Sequence, residues 1–314
     1  MPERTSRLPI VARSSALFLA VVLVAIGCAS PTATPRPSGP RPSSVPTVGP
    51  SLVPSSGPTV GAIGHATGAS DVVLRIEQGG GFGPIDLLAT QAPGFTLFGN
   101  GVIVFQRAPT TFPEPDANGV VKSIPWRTAS LDEGQVQELL AFALGPGGLG
   151  TARESYVAGG IADAPNTIFT IRAGGVDKTV VVNALSEASQ PGPDTVARAA
   201  FATLAKRLQD FDQAGTISSD IYRPDRYRGV LTERDAAAAS LDWPWPALKR
   251  TDFKEGAKDG AGGPTLPHRT MNTDEIAALK LSDIEGGVQG LAIKATDGKT
   301  YAFVLRPLLA DEKE

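Results

Sequence analysis

Thiol and imidazole chemistry in this chain of 314 residues rests on three side chains: one cysteine, Cys28, and two histidines, His65 and His268. A lone cysteine has no internal disulfide partner. Two histidines, one in a proline-rich tract and one in the loop "LPHRT", do not assemble the three or four ligands of a zinc site. A serine hydrolase would have to use His268 as its base, and neither a G-x-S-x-G elbow nor an S-x-x-K pair is present. The plainer expectation for His268 is a solvated loop residue, and for His65 a position within the tether.

Carboxylate chemistry has two candidate pairs, Glu114 with Asp116 and Asp210 with Asp212. Paired acids serve glycosidases or hold calcium. The first pair lies in "PEPDANG" without the full spacing of a calcium loop, and the second straddles Phe211 at a helix end. Solvated surface is the expectation for both. "EQGGGFG" lacks the Lys-Ser or Lys-Thr of a phosphate loop and reads as a tight turn or bulge. No catalytic residue, metal set or cofactor is therefore expected.

Two stretches carry the residue types that anchor binding surfaces. "YRPDRYRG" interleaves Tyr222, Arg223 and Tyr227 with further arginines, and "DWPWP" holds Trp243 and Trp245. Pro244 and Pro246 keep that segment extended, so side chains two apart point the same way. Both indoles then face either the core or the outside. Core packing or support is the plainer expectation for both stretches. Two neighbouring indoles each need an N–H partner when buried, which makes burying both harder; if the pair is exposed, it offers a platform for a sugar or peptide.

The surroundings of Cys28 say more. Arg4, Arg7 and Arg13 against Glu3 precede the apolar run Ala16 to Ile26. That run of about eleven residues is shorter than the roughly 20 of a membrane-spanning helix, so it reads as an export signal removed after use. With "VAIG" before Cys28, the chain resembles the lipobox of bacterial lipoproteins. The resemblance implies cleavage after residue 27, diacylation of the Cys28 sulfur and acylation of the new amino terminus. The alternative is an ordinary secretory signal that ends in cysteine. Multiple acyl chains hold a protein on a membrane, whereas one holds only marginally.

Residues 28–69 are dominated by Pro, Ser, Thr and Gly, with nine of the 27 prolines and no acidic or aromatic residue. Such a stretch buries too little apolar surface to offset the entropy of ordering it and is expected to be a disordered tether. In polyproline II form it would reach about 3.1 Å per residue, on the order of 100 Å.

The remainder divides into an expected first α+β half, 70–214, and a second, 215–314, packed on the first. Of 29 basic and 32 acidic residues, five bases and one acid precede residue 69, leaving a net charge of about minus seven. That balance excludes nucleic acid, whose phosphates require Lys and Arg. Val72, Leu74 and Ile76 alternate with Arg75 and Glu77 as in a half-buried strand. Hairpins are predicted around Asn100-Gly101 (type I′), Gly174-Gly175 and Asp297-Gly298. A helix capped by Ser130 and Glu133 carries Val136, Leu139, Leu140 and Ala143 on one face. A second carries Phe201, Leu204, Leu208 and Phe211, and "NTDEIAALKLS" starts a third at a cap with Glu275. The fold class is thus α+β, antiparallel hairpins packed with two or three helices. The helix-then-hairpin order of 131–183 recurs at 273–306, either as a duplicated unit or as chance recurrence of a common motif.

"LRIEQGGGFGPIDLLATQAPGFTLFGNGVIVF", "TIFTIRAGG", "VVVNAL" and "FVLRPLLADE" together resemble a set of uncharacterised secreted lipoproteins from Gram-positive and related high-GC bacteria. The resemblance spans most of the exported part and implies a shared fold and location, with no activity attached. "VDKTVVVNAL" departs from the histidine- and tyrosine-containing version of those relatives, so no role of those side chains carries over. The function expected is that of a lipid-anchored, extracytoplasmic binding or structural module of the cell envelope. Its partners are the membrane, through Cys28, and an envelope protein, peptide or glycan. A carboxylate-based hydrolase and an inhibitor or accessory subunit of another envelope protein are the alternatives.

Overall fold

The computed structural model describes residues 61–81, 88–89, 91–109, 111–158, 161, 163–185, 192–209, 211–212, 217–234, 240–255 and 266–312. Along the chain run β1 (Val72–Gly79), β2 (Phe95–Phe98), β3 (Val102–Phe105), β4 (Val121–Lys122), β5 (Arg127–Ser130) and α1 (Glu133–Leu144). Then come β6 (Ser155–Tyr156), β7 (Asn166–Ala173), β8 (Val176–Asn183), α2 (Thr195–Gln209) and β9 (Asp220–Ile221). The rest comprises β10 (Arg226–Glu233), β11 (Leu241–Asp242), β12 (Lys254–Glu255), β13 (Pro267–Asn272), α3 (Thr273–Ala277), β14 (Val288–Lys294) and β15 (Thr300–Pro307).

These elements build two open, mostly antiparallel sheets, so the molecule is mixed α and β but richer in strand than the sequence pattern suggests. The first sheet has the order β6-β8-β7-β1-β2-β3-β5-β9, and the second β11-β14-β15-β10-β13-β12 with β4 added beside β14. Among the described strands only the β6–β8 and β11–β14 pairs are parallel. Each end of either order is a strand of two residues.

The first sheet is covered on one face by α1 and α2. Val136, Leu139, Leu140 and Ala143 of α1 and Phe201, Leu204 and Leu208 of α2 meet Leu74, Ile76, Phe95, Ile103, Phe105, Phe169 and Ile171 in one buried cluster. Phe211 lies beyond α2 and packs against the rim of that cluster. The cap of α1 is Asp132 with Gln135, two residues later than Ser130 with Glu133, because Ser130 is still paired to Val102 in β5. The α3 cap is Asn272 with Glu275, as its sequence indicates.

All three predicted hairpins form, with different turns. Gly174 and Gly175 both have positive φ, 61° and 76°, the two-residue type I′ geometry. In the β2–β3 turn only Gly101 has positive φ, and its N–H donates to the Phe98 carbonyl. Gly99 and Asn100 therefore occupy the turn centre and Gly101 follows as a bulge, correcting the type I′ expectation by one residue. Gly298, with φ 82° and its N–H on the Ala295 carbonyl, repeats that three-residue loop. A three-residue loop spares Asn and Asp the left-handed conformation.

The division at residue 214 does not match the sheets. β4 belongs to the second sheet although its neighbours in sequence belong to the first, and β9 belongs to the first. The recurring helix and hairpin also enter their sheets differently. β7, the first arm of its hairpin, pairs with β1, whereas β15, the second arm, pairs with β10. The recurrence is therefore one of order along the chain and not of strand order. Residues 63–66, assigned by composition to the tether, are docked: Ile63 N–H donates to Gln137 and His65 bridges to Ala173.

In the second sheet Tyr227, Leu231, Met271, Leu291, Ile293, Phe303 and Leu305 share a core with Ile276 of α3. Gly229, central in β10, admits Phe303 and Met271: a β-carbon there would lie 2.8 Å from the Phe303 ring and 2.5 Å from the methionine sulfur.

Candidate functional site

The alternation in β1 puts Leu74 and Ile76 under the helices, and Arg75 and Glu77 on the other face. A bulge between Val72 and Leu74 turns Val72 to that other face as well, where it joins Phe98, Val104, Trp126 and Leu309. Leu309 comes from the segment after β15, so the chain's last described residues are pressed into this seam.

Charges converge at the seam. Arg75 donates to Asp311 at 2.6 Å and to the Thr96 hydroxyl at 3.1 Å. Arg306 forms a double hydrogen bond with Glu312, at 2.9 and 2.5 Å, and the Leu309 N–H donates to the same carboxylate at 2.8 Å. Arg226 donates to the Glu312 carbonyl and accepts from the Leu308 N–H, while the Tyr222 hydroxyl donates to the Leu308 carbonyl. Burial pushes the Glu312 carboxyl up, but the Arg306 bonds and charge and the Leu309 amide prevail and hold it below the usual range. For Glu77 the balance falls the other way. Burial raises its affinity for a proton, the Arg75 charge offsets this in part, and Asp311 and Glu312 raise it further. Burial also drives the Tyr222 hydroxyl up to about 12, with the Glu312 charge adding to it.

A second cluster surrounds Asp212, expected at the surface but almost fully buried. It accepts from Arg107 with both oxygens and from the Ser219 hydroxyl, and Arg127 lies 3.3 Å away. The Arg107 hydrogen bonds, opposed by burial and helped by Ser219, hold its carboxyl below the usual range. Asp210 lies outside the described residues. Asp116 is exposed and accepts from the N–H groups of Asn118 and Val120, an Asx-type turn, and Glu114 is exposed beside it.

The remaining predicted residues fall as follows. Trp245 is 3% exposed and donates its indole N–H to the Glu275 carbonyl. Trp243 is half-buried and donates to the carbonyls of Trp245 and Leu248. Their rings meet edge-on at 5.2 Å, and Trp245 continues onto Phe303 at 5.2 Å and Phe253 at 6.0 Å. The exposed platform is thereby corrected: backbone carbonyls satisfy both indoles, which removes the penalty that argued against burying them. Tyr227 is buried in the second core, Tyr222 stacks on Trp126, and Arg223 alone of that group is exposed. The Tyr and Arg interleaving was strand alternation, with Tyr227 inward and Arg226 turned to the seam. His268 is in β13, paired with Val230 and Lys254, not in a loop. Cys28, the signal and most of the tether lie outside the described residues.

Two clefts open on the surface. One, of about 230 Å³, is lined by Gln78, Thr167, Leu185, Ala205, Lys206 and Gln209. The other, of about 240 Å³, lies beside β14 and is lined by Asp116, Val120, Leu241, Leu279, Leu281 and Leu291. Both fall below the roughly 300 to 1,000 Å³ of typical small-molecule sites. Neither is lined by the seam acids or by Asp212. Among the described residues no three potential ligands cluster for a metal ion, and no helix is long and apolar enough to cross a membrane. What the charged clusters do chemically is bind chain to chain. Sequence reasoning missed the seam because its partners are far apart, Arg75 and Asp311 by 236 positions.

No family model matches the chain, and neither a curated protein nor a solved structure shows significant similarity to it.

Proposed function

We propose that the chain is a lipid-anchored lipoprotein of the cell envelope, facing outside the cytoplasm, whose folded part works by binding or by a structural role and not by catalysis. The observation that carries the anchor is the placement of the only cysteine, Cys28, between a basic and apolar leader and a proline-rich tract. The tract then leads to residues 63–66, the first docked stretch among the described residues. The likeness of that leader to a lipobox, and of the exported segments to secreted lipoproteins of Gram-positive and related high-GC bacteria, belongs to the same reading.

The non-catalytic part rests on the fate of the seam acids and of Asp212. Asp311, Glu312 and Asp212 are each engaged by an arginine. A carboxylate occupied by a guanidinium is poorly placed to donate a proton or to attack as a nucleophile. An envelope protein, a peptide or a glycan is the partner class.

Detergent-phase partitioning tests the anchor. The wild type belongs with membrane lipids, and Cys28→Ala belongs in the precursor or the aqueous phase. Equal partitioning of the two would remove the lipid anchor and leave a secreted protein.

A further inference from the structure

We propose that the leucine cleft beside β14 binds a small hydrophobic primary amine, with the Asp116 carboxylate taking the ammonium group. The cleft is a notch in the surface of the second core. Leu279 and Leu291, both buried members of that core, and the half-buried Leu241 and Leu281 packed against it supply the apolar wall. The volume of about 240 Å³ suits one compact ring or a short aliphatic body. An apolar cavity of about 150 Å³ is already enough for benzene.

The polar residues of the wall, Asp116, Asn118 and Ser240, are exposed and form its rim. Among the described residues Asp116 is the only charged one that lines the cleft. Its Oδ1 accepts from the N–H groups of Asn118 at 2.8 Å and Val120 at 3.0 Å. Its Oδ2 has no partner among the described residues. A carboxylate oxygen only accepts, so the rim selects a donor, and an ammonium supplies both N–H groups and the opposite charge. The Asn118 amide oxygen and the Ser240 hydroxyl offer it further acceptors. Neighbouring charges stand off the wall. Lys280 separates Leu279 from Leu281 and Asp242 follows Leu241, yet neither lines the cleft, and Lys122 faces Asp283 at 3.8 Å.

The chain fixes the acid in place. The Gly119 N–H donates to the Asp116 carbonyl and the Asp116 N–H to the Val120 carbonyl, both at 2.9 Å. This turn rests on β14 at Gly290, where a β-carbon would lie 2.7 Å from the Gly119 carbonyl oxygen. Val120, at the end of the turn, is buried in the second core. The carboxylate therefore stands beside the leucines before any ligand arrives, which lowers the ordering cost of binding. The site does not depend on the lipid anchor.

Leucine-methyl NMR of the full-length chain in zwitterionic lipid nanodiscs, titrated with phenethylamine and with its neutral counterpart phenethyl alcohol, tests this. The amine should shift the methyls of Leu241, Leu279, Leu281 and Leu291 and saturate with a Kd on the order of 1 mM, the scale of a ligand of about nine non-hydrogen atoms. The alcohol should shift the same methyls but bind about fivefold more weakly, the upper range for a solvent-exposed ion pair. In Asp116→Asn the amide oxygen still accepts from Asn118 and Val120, so the turn is kept, and the two probes should bind alike. Leu281→Trp fills the cleft and should remove the shifts by both. Absence of shifts at the four leucines, shifts that persist in Leu281→Trp, equal binding of the two probes by the wild type, or a preference for the amine that survives in Asp116→Asn would overturn the site.

Discussion

Arg306 and Glu312, six residues apart, close the end of the chain into a loop with two parallel hydrogen bonds, at 2.9 and 2.5 Å. Leu308 and Leu309 lie between them, both buried, so the ion pair turns these two leucines into the core. This gives "RPLLADE" a structural meaning: arginine and glutamate form the clasp, the leucines fill the seam, and Asp311 reaches Arg75. Removing one partner of a buried pair strands the other charge. Arg306→Ala should therefore cost about 3 kcal/mol in urea denaturation. The pH dependence follows from the lowered Glu312 affinity for protons. Its stabilisation is present above the unfolded value, near 4.5, and is lost as pH falls through the lower folded value. Arg306→Ala should flatten that acid limb.

Glu77 should act in the opposite sense. Its proton affinity is raised in the folded chain. The folded state thus binds more protons than the unfolded one between the ordinary value of 4.5 and the raised value, and stability falls as pH climbs through that window. Glu77→Gln removes the ionisation, so the variant should be more stable than the wild type at pH 7 and similar to it at pH 4. Denaturation midpoints at the two pH values decide it, and a destabilised variant at pH 7 would show that the charge is needed beside Arg75.

Local features of this fold were legible in the residues. The helix stripes of α1 and α2 follow from positions three and four apart, and the hairpins from glycine at turn centres, because each signal is carried by neighbours in sequence. Two-residue strands such as β4 and β9 have no periodicity to read, so the exchange of strands between the halves was hidden. The ion pairs of the seam depend on the fold bringing β1 to the chain's end, a juxtaposition that no spacing encodes. Asp212 looked like a surface acid because its partners, Arg107 and Arg127, lie about a hundred positions upstream.

The turn geometry can be tested by substitution. Gly101 has φ 80°, and a β-carbon there would lie 2.5 Å from the Leu131 carbonyl oxygen, which is backbone and cannot step aside. Gly101→Ala should cost on the order of 2 kcal/mol from positive φ and the clash together. Asn100 is not in the left-handed region, so Asn100→Gly should give no gain from relieved strain and should lose a few tenths of a kcal/mol to unfolded-state entropy. A stabilising Asn100→Gly would favour a type I′ turn.

The tryptophan pair offers the clearest contrast between local and tertiary reasoning. Pro244 and Pro246 do extend the segment, but extension does not fix which side the indoles meet. The side is fixed by Phe253 and Phe303, which supply an aromatic wall, and by the carbonyls of Glu275, Trp245 and Leu248, which take the two N–H groups. Trp245→Ala should therefore cost about 3 to 5 kcal/mol, the range for a truncated core aromatic. Trp243→Ala should cost less, because that ring is only half-buried, yet more than the roughly 0.5 kcal/mol of an ordinary surface change. Fluorescence gives an independent readout. Emission assigned to Trp245 by difference from Trp245→Phe should be blue-shifted and shielded from acrylamide, whereas the Trp243 contribution should be quenched in part. Full quenching of both, with little loss of stability in either alanine variant, would restore the exposed platform and with it a binding role for the pair.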